Sequence, residues 1–425
     1  MRFIALDVHR DFCEVAIAEE GEVRLAGRVQ TTPGELELFA QSLGEDDQLV
    51  LEATGNALAI ARIVEPYVAR VVLANPKSVK AATETAKTDK LDARTLAKLL
   101  AGGFLREVWI VDEQTRVLRR RISRRAQLVR QRTREKNQVH ATLIRNLKAR
   151  PPVSDLFGVH GRRWLAGQAL PADERETVEA CLRQIDFLAA EIAVIDRALA
   201  ELALASEQMR RLMTLPGVSF VTAAALMGAI GDVGRFPTAG HLVSYIGFDP
   251  RVRQSGSEPA RHGRISKQGP GEVRHLLVEA AWHAVRTYGP LRVFAERLAS
   301  KRGANVATVA VARKLVVIAW HMLSRDEDYA FARPSLVREK LRKLELLTGA
   351  ERRKGKRNPV RVFATKEQHQ LEKDLARQAE VAYRRLVRDW QPAMKKGTGA
   401  APGRASRGPS SGQAARQNTA PRPAL

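Results

Sequence analysis

The first hundred residues alternate short apolar runs with polar turns, and each run has the length of a strand. Residues 3–8 are apolar except for Asp7. Residues 13–18 and 23–30 follow, joined by the turn Glu19-Glu20-Gly21-Glu22. Residues 33–43 predict a helix. Residues 48–52 predict a fourth strand that ends in Glu52 and runs into Ala53-Thr54-Gly55, residues 56–64 a second helix, and residues 69–74 a fifth strand. Within 87–97 a third helix begins, with Thr88 as its N-cap and Leu91, Thr95 and Leu96 on its inner face. Beyond this point the apolar period lengthens to that of a helix. Residues 112–150 carry Leu118, Ile122, Val129, Val139, Leu143 and Leu147, and Pro151-Pro152 end the run. Residues 174–213 repeat the pattern with Leu182, Ile185, Leu188, Ile192, Ile195 and Leu199. Two such helices around a proline break predict an antiparallel coiled coil, shared between protomers or closed within one chain. Residues 272–287 and 304–324 predict apolar core helices, and residues 365–390 a further helix. Past Met394 the chain has no acid and is rich in Gly, Ala, Pro, Ser and Arg, which predicts disorder.

The order β-β-β-α-β-α-β-α is that of ribonuclease H-like folds, in which the first strand is central and the fourth lies beside it. Asp7 and Glu52 would then be neighbours. An acid inside an apolar strand is costly to bury without a partner, and strand C-terminal ends are where α/β sites form. Asp89 and Asp92 are three residues apart, so on a helix both carboxylates point the same way. Four converging carboxylates would hold one or two Mg²⁺ ions, hard cations that prefer oxygen. Read alone, the two helical aspartates are equally a solvated acidic first turn, which the helix dipole favours. Sugar kinases and actin-like ATPases also open on an apolar strand ending in Asp, but they follow it with a Gly-rich phosphate hairpin. Here Asp7-Val8-His9-Arg10-Asp11 follows, with no glycine before Gly21.

Charge sharpens the picture. The 425 residues carry 71 Lys+Arg against 47 Asp+Glu, a formal net charge of +24, and an excess of this size calls for a polyanionic partner, nucleic acid most simply. The excess is concentrated. Arg119, Arg120, Arg124 and Arg125 belong to an almost acid-free run along the first long helix, suited to phosphate contacts. The two cysteines, Cys13 and Cys181, form no metal motif or disulfide framework. No signal peptide precedes the first strand. The longest apolar stretch, 306–323, is interrupted by Arg313, Lys314 and His321, so no membrane span is expected. The expected location is intracellular: the cytoplasm, at the nucleoid.

Two features remain. Leu215-Pro216-Gly217-Val218-Ser219, followed by residues 223–231, resembles a helix-hairpin-helix, a Gly turn that offers backbone N–H groups to phosphate. Residues 249–269 read as a long loop rich in Gly, Ser and Arg. In it Gly256 would let a backbone approach Ser255, and Arg251, Arg253, Arg264 and Lys267 would suit a phosphate, with Arg274 on the helix that follows. Arg313 and Lys314 are the other charged core-helix positions expected to face DNA.

At this point the chain resembles the transposases of the insertion sequence 110 family, the DEDD recombinases. The resemblance rests on Leu6-Asp7-Val8-His9, Leu51-Glu52-Ala53-Thr54-Gly55 and Lys87-Thr88-Asp89-Lys90-Leu91-Asp92-Ala93. Further on it rests on Leu215-Pro216-Gly217-Val218, Tyr245-Ile246-Gly247-Phe248-Asp249-Pro250, Gln254-Ser255-Gly256 and Gly263-Arg264-Ile265-Ser266-Lys267-Gln268-Gly269. These motifs span residues 1–325 in the family's order. The resemblance implies an α/β plus all-α chain. Residues 1–107 would form a RuvC-like domain whose Asp7, Glu52, Asp89 and Asp92 hold Mg²⁺. Residues 108–205 would be a basic coiled-coil linker, and 206–330 a transposase domain with a serine nucleophile. Outside the resemblance, composition alone predicts a basic helical extension over 331–393 and a disordered tail over 394–425. The nucleophile carries over to Ser255, the serine of the Ser-Gly pair; many relatives have a second serine where Gln254 stands, and Ser257 is close by. It also implies a composite site across protomers of a dimer or tetramer, and a noncoding bridge RNA that pairs with donor and target DNA. Two rivals remain open: a metal-only nuclease of the junction-resolvase type, and a non-catalytic nucleic-acid binder.

Overall fold

Five strands build the N-terminal sheet in the order β3-β2-β1-β4-β5. They are β1 (Phe3–Val8), β2 (Phe12–Glu19), β3 (Glu22–Gln30), β4 (Gln48–Glu52) and β5 (Arg70–Ala74). The fold is given by a computed structural model, which describes residues 1–76, 79, 89–256, 259–352 and 365–390. Strands β1, β2 and β3 form an antiparallel meander, while β1 pairs parallel with β4 and β4 with β5. The central place of β1 and the neighbouring place of β4 agree with the order read from the sequence.

Alternation along the strands divides the side chains between two faces. Ile4, Leu6, Val8, Cys13, Val15, Ile17, Leu49 and Leu51 pack on one face with helices α1 (Pro33–Gln41) and α2 (Ala57–Val64). Ala5, Ala16, Ala18, Val50, Val72 and Ala74 pack on the other, under α3 (Asp89–Ala101), which supplies Ala93, Leu96, Ala97 and Leu100. Small alanines beneath the helix let α3 lie close across β1 and β2. At the N-terminal ends of the central strands, Arg2 grips Asp47 with Nε–Oδ1 3.0 Å and Nη2–Oδ2 2.5 Å, fixing the β1/β4 register. The proposed N-cap Thr88 lies outside the described residues.

Two long helices follow and pack along each other: α4 (Glu113–Arg145) and α6 (Ala172–Ala205), with the short α5 (Val159–Ala166) between them. Leu128, Leu188 and Ile192 form the seam midway along the pair, and Val139, Leu143, Val178 and Cys181 the cluster near its tip. The long helix stops at Arg145, five residues short of the expectation, because Leu147 takes a positive φ of 53°. The second begins at Ala172 and breaks at Ser206, whose side chain caps a separate helix α7 (Glu207–Leu212).

The remainder is helical around one large core: α8 (Phe220–Ile230), α9 (Ala239–Ile246), α10 (Gly271–Ala284), α11 (Pro290–Arg302), α12 (Ala304–Arg325), α13 (Pro334–Leu347) and α14 (Lys366–Asp389). Every residue of α8 is buried. By length and composition α12 is apolar enough to cross a membrane, which corrects the expectation that no stretch is. Half of that stretch is buried, and Val311, Leu315, Val316 and Ala319 join the helical core. The region 249–269, expected as a loop, instead contains an antiparallel hairpin of β6 (Pro250–Arg253) and β7 (Arg261–Ile265). Its strands hid from the apolar pattern because their residues are almost all exposed and several are arginines. The tail 394–425 lies outside the described residues.

Candidate functional site

The parallel pairing of β1 and β4 runs through Leu6↔Leu51. Asp7 and Glu52 each follow that pair, and both alternate with residues of the α1/α2 face, so both turn toward α3. Asp92 is half-buried on α3 beside fully buried Ala93, above the same face. The side chain of Asp89 lies outside the described residues. The structure therefore brings Asp7, Glu52 and the helix of Asp92 to one sheet face. Among the described residues, no group of three or more metal-type side chains is close enough to share an ion.

Asp7 is mostly enclosed, its side chain 13% exposed, with Oδ2 3.1 Å from His9 Nε2. His9 leans on Phe12, ring centroids 5.0 Å apart, and its carbonyl accepts from Asn56 Nδ2 and Thr31 Oγ1 at 3.3 Å each. That loop of contacts holds the end of β1 against the start of α2. A further acid went unassigned in the sequence reading: Glu14 on β2 is the register partner of Asp7 and is 2% exposed. Two like charges directly opposite destabilise a sheet. Here Arg28 of β3 reaches Glu14, Nε–Oε2 2.7 Å, with its guanidinium 4.3 Å from the Phe12 ring centroid, and compensates that charge. The signal was present in the sequence: one acid on the inward register of a β2 that is otherwise apolar from Phe12 to Ala18. The donor set of Asp7, Glu52 and Asp92 is all carboxylate, which fits a hard divalent cation.

Ser255 lies on a different unit, exposed near the tip of the β6–β7 hairpin, next to Gly256 at φ 55° with open space where a Cβ would stand. Ser257 lies outside the described residues. The hairpin's base is tightly built. Ser266, 8% exposed, donates from Oγ to Asp249 Oδ1 at 2.6 Å and from its amide to the Asp249 carbonyl at 2.8 Å. Gly247 (φ 86°) and Gly269 (φ 77°) lock the two arms. A Cβ on Gly247 would stand 2.0 Å from the Gln268 carbonyl oxygen, and one on Gly269 1.9 Å from that of Tyr245. Neither Asp249 nor Ser266 had been given a role. Both fall inside matched motifs, but their pairing spans 17 residues and carries no periodic signal.

The arginines divide. Arg274 is turned inward: Nη1 donates to the carbonyls of Ile246, Gln268 and Gly269 at 2.7, 2.7 and 3.1 Å, and burial lowers its pKa. Arg119 donates from Nε to the Gly228 carbonyl at 2.6 Å, and Arg125 grips Asp196 at 2.5 Å. These three make bonds within the protein: Arg119 and Arg125 through Nε and Nη2, Arg274 through Nη1. Arg120 and Arg124 are exposed on α4, reaching Glu113 and Gln127. Arg251, Arg253, Arg264 and Lys267 are exposed on or beside the serine hairpin, Arg251 touching the Ser266 carbonyl at 3.4 Å. Arg313 and Lys314 are exposed on α12, with Lys314 Nζ 5.7 Å from the Phe294 ring centroid.

Two family models match the chain. One described as a transposase of the DEDD IS110 type covers residues 4–146, and one described as the transposase IS116/IS110/IS902 family covers 209–296. The first spans the sheet and α4, the second the part of the helical core from α7 into α11, with the serine hairpin. The chain is 26% identical over 337 residues to the transposase for insertion sequence element IS1111A of Coxiella burnetii, covering 77% of this chain and 91% of that protein. It is 26% identical over 290 residues to the transposase for IS1328 of Yersinia enterocolitica, covering 64% and 82%. Over 120 residues it is 31% identical to the pilin gene-inverting protein of Moraxella bovis, covering 28% and 37%. A DEDD-type domain points to dependence on a divalent metal.

Proposed function

The chain belongs to the IS110 family of transposases, enzymes that cut and rejoin DNA, and from that premise we propose how its own residues divide the work. The N-terminal domain is RuvC-like, and Asp7, Glu52, Asp89 and Asp92 would hold Mg²⁺. The observation that carries this reading is the shared sheet face of Asp7 and Glu52 at the ends of adjacent parallel strands, with α3 laid across it. Bound there, the ion supplies Lewis-acid activation of the scissile phosphate. Ser255 Oγ attacks that phosphorus, the phosphodiester bond to one DNA oxygen breaks, and the departing oxygen takes up a proton as serine gives one up. The product is a phosphoserine diester, which a hydroxyl of the second strand end reverses with no loss of bond count. Arg251, Arg253 and Arg264 compensate phosphate charge around the serine, and Arg120 and Arg124 hold the duplex backbone. The serine and the acids sit on separate units, which favours a composite site completed between protomers of a dimer or tetramer. A noncoding bridge RNA supplies target choice, and the protein works in the cytoplasm at the nucleoid.

The test is a denaturing gel of end-labelled donor DNA incubated with protein, Mg²⁺ and the element's flanking RNA. A covalent protein–DNA adduct is expected, absent in Ser255→Ala and in Asp7→Ala. Nicked DNA without adduct, unchanged in Ser255→Ala, would leave a metal-only nuclease.

A further inference from the structure

The turn between α7 and α8 gathers three backbone carbonyls around one amine. Backbone carbonyls at a helix C-terminus need donors. Here the Met209, Arg211 and Leu212 carbonyls accept from the turn amides of Met213, Thr214 and Leu215. The carbonyls of Met213, Leu215 and Val218 converge on one atom, the Nζ of Lys340, at 2.6, 2.8 and 2.9 Å, and that of Leu215 also accepts from the Val218 amide at 3.3 Å. An ammonium has three donors and no acceptor, so the three oxygens saturate it. Gly217, at φ 78°, makes the geometry possible. A Cβ there would stand 2.1 Å from the Ala280 carbonyl oxygen, so the turn is pressed against α10 and cannot open to release the carbonyls to water.

Lys340 sits on α13, which lies outside both matched regions, 209–296 and 4–146. Leu336, Val337, Leu341 and Leu344 surround it on the half-buried or buried side of that helix. A lysine at this register brings a charge into an apolar face, a costly placement unless the amine has partners there. Inward backbone carbonyls are also what proteins offer to potassium in place of its hydration shell, and three of them would leave the remaining positions of such an ion to water.

We propose that Met213, Leu215 and Val218 form a monovalent-cation site of potassium size, which Lys340 fills from within the chain. The C-terminal extension thereby supplies the ion that keeps this turn in shape, and the chain needs no dissolved cation for it. Burial brings the Lys340 pKa down to about 8, so the amine is still mostly charged at neutral pH.

Thermal unfolding of the full chain at neutral pH tests this, in potassium chloride against tetramethylammonium chloride at equal ionic strength. The second cation is too large for the site. The parent protein should melt at the same temperature in both. Lys340→Ala opens room for an ion and should melt lower than the parent, recovering on the order of 2 °C or more in potassium alone. Lys340→Met fills the channel without charge and should melt low in both salts. Equal melting of Lys340→Ala in the two salts, or failure to fold in either, overturns the proposal. So does a potassium gain in the parent as large as that in the variant. None of these readouts depends on DNA cleavage, so the reading of Ser255 and the acids stands or falls separately.

Discussion

Arg119 donates its Nε–H to the carbonyl of Gly228 at 2.6 Å, across 109 positions of sequence. Its Nη2 reaches the Ala229 carbonyl at 3.3 Å. Arg235 donates to the carbonyls of Ile230 and Ala229 from the other side and stacks 4.2 Å over Trp109. Two guanidinium groups thus cap the C-terminus of α8, where the helix dipole favours cations, and one of them comes from α4. Arg119→Ala is expected to cost about 1–3 kcal/mol of stability, read from the denaturant midpoint, without changing the salt dependence of DNA binding. A lowered salt slope with unchanged stability would place Arg119 on DNA instead.

Arg124 and Arg253 should behave in the opposite way. Each exposed phosphate contact contributes about one unit to the slope of log affinity against log salt. Arg124→Ala and Arg253→Ala should each lower that slope by about this amount while the melting temperature stays put. An unchanged slope in both variants would remove the α4 and hairpin arginines from the interface.

Gly269→Ala tests the hairpin base. The position combines a φ of 77° with a Cβ that would meet the Tyr245 carbonyl oxygen. Strain at such a site costs on the order of 1–3 kcal/mol. Ser255 rides on this base, so adduct formation should fall further than the loss of folded protein explains. Full adduct yield from the folded fraction would show that the serine does not depend on the interlock.

Acid should loosen the sheet from the end remote from the acids. Burial pushes the Asp47 carboxyl up, but the Arg2 guanidinium and the amides of Gly44 and Arg2 outweigh it and hold it below its usual 3.8. A carboxylate depressed in the folded state adds stability above its unfolded pKa and loses it as pH falls through the folded value. Denaturant midpoints taken below about pH 4 should therefore drop, and Asp47→Asn should flatten that drop while lowering stability at neutral pH. A slope identical in both proteins would assign the acid sensitivity elsewhere.

Glu380 on α14 is 3% exposed, and burial alone would raise its pKa. Arg292, at 2.7 and 2.8 Å, and the Gly289 amide at 2.9 Å bring it below the usual value instead. Glu380→Gln should weaken the docking of α14 and speed proteolysis within 365–390, leaving the rest of the fold intact. Unchanged proteolysis would mean that apolar contacts alone hold the helix.

The strands could be read from sequence because their faces differ sharply: Leu6 and Leu51 on one side, Ala5 and Val50 on the other. Asp7 and Glu52 stood out as acids on that second register. The β6–β7 hairpin could not be read, because exposed strands have no apolar alternation to detect. Nor did the arginine run on α4 reveal its own division. Arg119 and Arg125 flank the stripe of Leu118 and Ile122 and turn inward, whereas Arg120 and Arg124 lie a position away and turn out. One side chain's direction on a helix is a matter of 100° per residue, and charge composition averages over it. Lys340 shares a helical stripe with Leu336, Val337, Leu341 and Leu344, but Arg338, Arg342 and Lys343 stand beside it and mask it in the sequence. Its partners, three carbonyls more than 120 residues upstream, have no signature in side-chain identity.

The pairing of α4 and α6 also sets a length. Both helices are rooted where the sheet meets the helical core, with Arg62 reaching Glu113 at one side and Arg119 reaching Gly228 at the other. A helix of 33 residues is about 50 Å long, and its partner brings the chain back to the start. At about 3.4 Å per base pair, that is the reach of roughly fifteen base pairs, a turn and a half of duplex. The exposed apolar tip at Ile144, Leu147 and Val159 is held at that distance from the root. The pair is a strut: it carries its apolar tip away from the sheet, while Arg130, midway along it, reaches Glu272 beside the base of the serine hairpin at 3.2 Å.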